Sequence, residues 1–486
     1  MSEKNSSEKV KLGFMDPLKL TDFPPVPGIF ALLGAGVILA SFNLGSGELI
    51  WWPYMTAKYG LAFVWLMIPF ALMQWWINTE LARYSLVTGE PTWAAFTRAS
   101  RKFSIIYFAM AVVTLLWWGG YAAAGGTALA AVTNFPPGWD ARGQTLFWSY
   151  VTMILFFAAL VLSPIIYKFL ERFLLVCMII GVGGVIIVAF HPALWGYWPT
   201  FASALVTPQP WPSNFDPKDY DILLTSLAYL GLGGFWQLTY PNWVREVGTG
   251  MSKYLGRITS PVTGKPEPVG VAGFAPRCDE ENKKRYYGWL KTVYANNTWG
   301  VGVNLFTTIL LAFLAYAILH PKGIWPSGYR LVVEQGRFLG ELWPPGFTLF
   351  LIVAGFLIVD TYAVILDFVP RLYTDFLHTT FPQTRKRPYR WWYYLFVCIF
   401  FVWTAISILL APPGALIVWG GVLNFLAWPV MHFAMLYVNY YKLPKSICPW
   451  LRPKWHWLVL GLIISLIYTA ISIWYLSLVI PAALGF

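Results

Sequence analysis

The sequence predicts an all-α polytopic membrane protein of eleven transmembrane helices, built as two five-helix repeats of opposite orientation with broken first and sixth helices. Three observations lead there. Of the 486 residues, 58% are hydrophobic and only 12% charged, with a mean hydropathy of +0.57, outside the range of soluble domains. Eleven segments approach the roughly 20 apolar residues that a bilayer core demands: 28–57, 61–86, 103–132, 145–163, 170–190, 221–244, 293–319, 346–369, 391–411, 414–440 and 457–483. Spans one and six are interrupted by glycine, and their separation by five is the spacing of inverted repeats that each open with a broken helix.

In chain order, residues 1–27 form a polar, charged cytoplasmic tail with no cleavable signal pattern, and 28–486 form the transmembrane domain. Span one carries Gly34-Ala35-Gly36 and then Asn43-Leu44-Gly45-Ser46-Gly47-Glu48 in an otherwise apolar stretch. An ionisable group there costs about 2.5 to 3.5 kcal/mol, and the neighbouring glycines weaken the helix that would carry it. That combination makes Glu48 the leading functional candidate over an acid that snorkels to the interface. Span two closes with Glu80 and Arg83, three apart and expected to pair. Span six reads Ala228-Tyr229-Leu230-Gly231-Leu232-Gly233-Gly234-Phe235-Trp236-Gln237, with Pro241 and Asn242 beyond.

Residues 192–219 and 320–342 read as outer loops, the second with a short surface helix; 247–291 is a long cytoplasmic loop whose plain reading is a connector. Span seven holds Asn297 and Asn304 on one face, and span ten holds Asn424 five residues before Pro429. Each could line a polar path or make interhelical hydrogen bonds. In span eight, Asp360 lies well inside the apolar stretch, a candidate for ion coupling or an inner gate. Asp367 and Arg371 are four apart on one face and should pair.

Charge fixes the orientation, because loops on the cytoplasmic side retain Lys and Arg. With the N-terminus inside, only Lys58, Arg142, Lys218, Lys322, Arg330 and Arg337 of the 34 basic residues fall outside. The C-terminal Phe486 is then outside, in a plasma or inner cell membrane. The net charge of +12 reports this topology and an attraction to anionic membrane lipid; nucleic acid is not an expected partner. Cys177 and Cys398 fall in spans, and Cys278 and Cys448 in inner loops where thiols stay reduced, so no disulfide is expected. His191, His320, His378, His432 and His456 are dispersed and read as structural, and the 28 tryptophans as packing and interfacial anchors.

At a helix break, the carbonyls that end the first half-helix suit a cation, and an acid near the start of the second half is stabilised as an anion. Glu48 could therefore bind a metal, sodium or an amine, or take part in proton coupling. Asn43 and Gln237 offer neutral oxygens of the kind hard cations prefer. The candidate ion or substrate residues are thus Asn43, Gly45, Glu48, Gly233, Gln237, Asp360 and Asn424, with Glu48, Asn43 and Gln237 as metal ligands.

These residues also carry a family resemblance. Leu33-Gly34-Ala35-Gly36-Val37-Ile38-Leu39 through Gly47-Glu48 to Ala57-Lys58-Tyr59-Gly60 resembles the opening of the Nramp family of divalent-metal transporters, where a Gly-Pro-Gly start leads to an Asp-Pro-Gly-Asn break and a Tyr-Gly. Leu81-Ala82-Arg83-Tyr84-Ser85-Leu86-Val87-Thr88-Gly89 is similar to the close of that family's second span. Asn242-Trp243-Val244-Arg245-Glu246-Val247-Gly248-Thr249-Gly250-Met251 resembles an Asn-Tyr-x-Arg-Asp-Lys-Gly-x-Gly-Met stretch of Nramp-related proteins. The resemblance implies a LeuT-like inverted-repeat fold and secondary-active transport of a divalent cation by alternating access, with a proton or sodium as a conceivable coupling ion. The departures are specific. The family's metal-binding Asp falls on Gly45, its Pro on Ser46, its Gly on Gly47 and its Asn on Glu48, while Gly233-Gly234-Phe235-Trp236-Gln237 stands where the family has Met-Pro-His. Without those sulfur and imidazole ligands, selection of soft transition metals over calcium or magnesium loses its basis.

Two alternatives stand beside this reading: an ion-coupled carrier of a small organic amine or amino acid, and a non-transporting membrane sensor or scaffold. An enzyme is not expected, since neither a His-Glu-x-x-His nor a nucleophile flanked by a base is present. There is no nucleotide-binding Gly-x-x-x-x-Gly-Lys-Ser/Thr loop, and no cofactor is called for.

Overall fold

Long runs of Leu, Ile, Val, Phe and Ala with few turn residues can satisfy their backbone in an apolar solvent only as helices, and helices dominate the computed structural model, which describes residues 9–28, 47–162, 164–255 and 272–484. The major helices are α1 (Trp52–Tyr59), α2 (Met67–Thr88), α3 (Thr92–Ala99), α4 (Arg101–Thr114), α5 (Gly119–Thr133), α6 (Ala141–Leu162), α7 (Pro164–Ala189), α8 (Trp198–Val206), α9 (Tyr220–Ala228), α10 (Thr239–Glu246), α11 (Glu280–Leu314), α12 (Pro344–Thr380), α13 (Tyr389–Ser407), α14 (Pro413–Tyr437) and α15 (Trp455–Leu484). One π-helical turn, Gly47–Trp51, leads into α1. Glu48 lies on that turn, while Asn43 and Gly45 lie outside the described residues.

Among the described residues, seven helical stretches are long and apolar enough to cross a membrane, or eight if the bent pair Met178–Ala189 and Pro192–Val206 counts as one. These account for eight of the eleven expected segments. The other three have separate reasons for falling short: span one lies largely outside the described residues, span six is broken, and α2 is long enough but carries Gln74, Asn78, Glu80 and Arg83. The outermost helices are lipid-facing by their burial. In α15 only 28% of the apolar window is covered by protein, against 67% in α11 and α12, which form the centre of the bundle.

The chain is not purely helical. The tail folds into β1 (Lys9–Val10) and β2 (Leu18–Thr21), and β2 pairs in parallel with β3 (Phe274–Pro276) of the long loop, Leu20 opposite Ala275. A buried ion pair anchors this sheet to the bundle. Arg98 meets Glu90 at 2.6 Å, donates to the carbonyls of Leu12 and Asp16, and Glu90 accepts from the Gly273 amide. The stretch 273–276 of the loop is therefore a structural strap at this end of the bundle. The expectation of free thiols fails here: Cys278 beside β3 and Cys448 before α15 form a disulfide with Cα atoms 5.5 Å apart. Compartment redox state, on which that expectation rested, says nothing about whether tertiary packing brings two cysteines together.

The expected local pairs form. Arg83 lies 3.0 Å from Glu80, and Arg371 lies 3.0 Å from Asp367 and 2.8 Å from Glu246.

Candidate functional site

Helix α9 stops at Ala228 because Gly231, Gly233 and Gly234 follow within six residues, and glycine is the weakest helix former after proline. Residues 229–233 are non-helical, and a 3-10 segment, Gly234–Leu238, then leads into α10. Gly234 has a φ of +57°, and a Cβ there would lie 2.4 Å from the Asn424 carbonyl oxygen. Only glycine satisfies both constraints.

Backbone exposed by such a break must be met by protein groups, and of three fully buried amides gathered here two, Gln74 and Asn424, meet it. Gln74 on α2 donates from Nε2 to the Leu227 carbonyl at 2.9 Å. Asn424 on α14 accepts from the Phe235 amide at 2.8 Å and donates to the Gly420 carbonyl at 2.8 Å. Gln237 accepts at Oε1 from Trp428 Nε1 at 2.5 Å. The fold thus gathers Gly233, Gln237 and Asn424, three of the candidates, at one place and adds Gln74 and Trp428. A glutamine that follows an unbroken apolar run from Leu61 to Met73 was the available signal for Gln74.

Two of the three amides are not fully satisfied. Gln74 Oε1 and Gln237 Nε2 have no hydrogen-bond partner among the described residues, although leaving such an atom buried costs about 1 to 3 kcal/mol. One is an acceptor and the other a donor. Behind Trp428 lies His432, also fully buried, ringed by Trp76, Trp428 and Tyr468 at centroid distances of 6.2, 6.3 and 5.1 Å. Neither imidazole nitrogen has a partner among the described residues.

No family model matches the chain, and no curated protein matches it in sequence. Solved structures do match it. A mutant of the Eremococcus coleocola manganese transporter shares 13% identity at a TM-score of 0.63, over 94% of this chain and 88% of that one. MhsT in complex with L-phenylalanine shares 16% at 0.51, over 90% and 98%, and inward-facing Mhp1 shares 14% at 0.51, over 95% of each. The chain has the LeuT-type fold. Identities this low establish the fold alone.

Within the LeuT-type frame, polar networks tie both ends of the broken sixth span to its neighbours. At the end where α9 begins, Asp219 accepts from Lys58 at 2.7 Å, Tyr59 at 2.6 Å and Tyr54 at 3.1 Å, which joins α1 to the start of α9. Burial opposes the charge on Lys58, but the hydrogen bond and charge of Asp219 outweigh it and raise the Lys58 pKa. Burial, and then the bond to Asp219, push the Tyr59 phenol up to about 12. At the other end, Arg245 of α10 lies 3.5 Å from Asp375 of α12 and donates to the Gly89 carbonyl.

The remaining candidates separate. Asn297 joins α11 to α2 through the Trp75 carbonyl and Thr79, whereas Asn304 is buried with neither side-chain atom partnered among the described residues. Asp360 is half-buried on α12. Glu48 is placed by its backbone, on the turn that packs against α11 and α9. Among the described residues, no group of three or more His, Cys, Asp or Glu could hold a metal ion.

Proposed function

We propose that the protein is a secondary-active transporter of eleven spans that moves its cargo by alternating access around the breaks of spans one and six, with a hard divalent cation engaged by Glu48. The observation that supports this best is the break at residues 229–233, where fully buried amides meet exposed backbone and leave polar atoms unsatisfied. Such an interruption is stable at membrane depth where it surrounds a polar ligand. The networks at Asp219 and Arg245 then serve as the outer and inner closures, and they must open alternately.

In this reading Asn43 and the carbonyls beside Gly45 and Gly233 complete an oxygen-rich site with Glu48, and Asn424 holds the break in shape. Gln237 presents its amide nitrogen instead of its oxygen, because Trp428 occupies the oxygen. It would ligate a metal only after that bond is exchanged. Asp360 is the candidate for the coupling ion, a proton or sodium.

One observation favours a second reading, an ion-coupled carrier of a small organic amine or amino acid. A free donor on Gln237 suits a carboxylate or carbonyl, a free acceptor on Gln74 suits an ammonium group, and the ring cluster of Trp428, Tyr468 and Trp76 suits an apolar side chain. Uptake into proteoliposomes, with calorimetry of magnesium, manganese, calcium and sodium against a panel of amino acids, separates the two. The metal reading expects divalent-ion binding that Glu48→Gln weakens by more than about tenfold, the loss of one charge-assisted contact. Binding of an organic solute with no divalent-ion response would sink it. Unchanged binding and flux in Glu48→Gln would favour a sensor or scaffold.

A further inference from the structure

At the end of the bundle that carries the sheet, a pocket of about 390 Å³ opens between α2, α11 and the start of α15. Lys291, Arg452, Lys454 and His456 line it, and no Asp or Glu does among the described residues. The three Lys and Arg residues are exposed, and none of them makes an ion pair with a described acid. Three basic residues nearby are answered instead: Lys283 is paired with Glu280, Arg285 with Glu281 and Arg277 with Asp22. Three unanswered positive charges thus line one concave place.

The back wall is rigid and aromatic. Trp75, Tyr294 and Trp457 pack mutually, with centroids 5.8 to 6.2 Å apart. Arg83 behind them is already neutralised by Glu80 and held by Tyr286 and Tyr294. Tryptophan rings of this kind mark the headgroup level of a bilayer. Directly along α15 from the pocket, Val459, Ile463 and Leu466 are 42%, 50% and 59% exposed, an apolar face for acyl chains. A soluble anion would use the cations but neither the rings nor this face.

We propose that the pocket is a headgroup site for one anionic phospholipid, its phosphate among Lys291, Arg452 and Lys454 and its acyl chains along α15. Basic pockets between helix ends are the usual seats of such headgroups. The site is independent of the identity of the cargo.

The test is native mass spectrometry of the full chain, in detergent supplemented with phosphatidylglycerol, phosphatidylcholine or inorganic phosphate. The wild type should retain one phosphatidylglycerol in preference to phosphatidylcholine, and millimolar phosphate should not displace it. Replacing Lys291→Gln, Arg452→Gln and Lys454→Gln together removes three charges, each worth about fivefold near a membrane surface, so retention should fall roughly a hundredfold. A matched triple, Lys386→Gln, Arg387→Gln and Arg390→Gln, should leave it unchanged. Equal losses in both triples, equal retention of phosphatidylcholine, or displacement by phosphate would each overturn the proposal. The lipid preference of the wild type carries the test even if the pocket triple fails to fold.

Discussion

Replacing Gly234 by alanine should disrupt the sixth-span break more than any other single methyl group. A left-handed backbone at a non-glycine residue costs about 1 to 2 kcal/mol. The new Cβ would lie 2.4 Å from the Asn424 carbonyl oxygen, 2.6 Å from its Oδ1 and 2.7 Å from its Cα. Two of these atoms are backbone on a long helix and cannot swing away, so overpacking adds about 1 to 3 kcal/mol. Moving α14 to relieve it would weaken the bond from the Phe235 amide to Asn424, worth about 0.5 to 1.5 kcal/mol. The contributions overlap because they share a displacement, and the expected total is about 3 kcal/mol. That corresponds to roughly a hundredfold shift away from the native break. Thermal unfolding and proteoliposome uptake of the purified protein provide the two readouts, and both should fall. Two comparisons isolate the cause. Gly302→Ala on α11, where nothing lies within 4 Å of the added carbon, should lose nothing and gain about 0.5 to 1 kcal/mol of helix stability. Gly231→Ala meets the flexible end of Gln74, 2.5 Å from Oε1, and should impair uptake while sparing stability. A Gly234→Ala protein as stable and as active as Gly302→Ala would refute the reasoning.

Other perturbations test the closures and the strap. Asp219→Ala leaves part-buried Lys58 with only Asp216, 4.0 Å away, and should destabilise the closure at the start of α9 by about 1 to 3 kcal/mol, read as faster hydrogen exchange in residues 54–59. Raising the pH should do the same by titration. The folded pKa values of Lys58 and Tyr59 both lie above their unfolded values of 10.5 and 10.0, so their contribution is complete below about pH 10 and is lost as pH rises towards 12. Exchange in 54–59 that stays constant between pH 9 and 12, after correction for the intrinsic rate, would contradict this. Glu90→Gln breaks a buried ion pair that also holds β1, β2 and β3, and should cost about 3 to 5 kcal/mol, with proteolysis of the tail as an early sign. Alkylation without reductant should leave Cys278 and Cys448 unmodified, and the double serine variant should lose about 2 to 5 kcal/mol of stability; free thiols at both positions would rule out the bridge.

Several features were legible in the sequence because their physics is local. Helices follow from apolar composition in a solvent that offers no hydrogen bonds, and three glycines clustered within span six specify a break wherever that span is placed. Glu80 with Arg83, and Asp367 with Arg371, lie on one helical face at spacings that helix geometry alone turns into contacts. The low polarity threshold of a span was a less secure guide. Helix α2 carries Gln74, Asn78, Glu80 and Arg83 because groups elsewhere in the bundle bond to them, among them Asn439 and Trp457 at Glu80, while Gln74 Oε1 and Asn78 Oδ1 stay unpartnered among the described residues.

Only the tertiary structure could decide which distant groups meet. Gln74 reaches a carbonyl 153 residues away, Gln237 meets a tryptophan 191 residues away, and the disulfide joins positions 170 apart. No periodicity encodes such pairs, since they depend on how whole helices cross. The two-residue strand β1 likewise has no pattern of its own and exists because β2 and the Glu90–Arg98 pair hold it. The sequence by itself determined that this chain crosses a membrane and where its sixth span breaks, because composition and helix propensity act over a few turns. Which amides gather at that break, and which of their atoms stay unsatisfied, was decided by packing across the bundle.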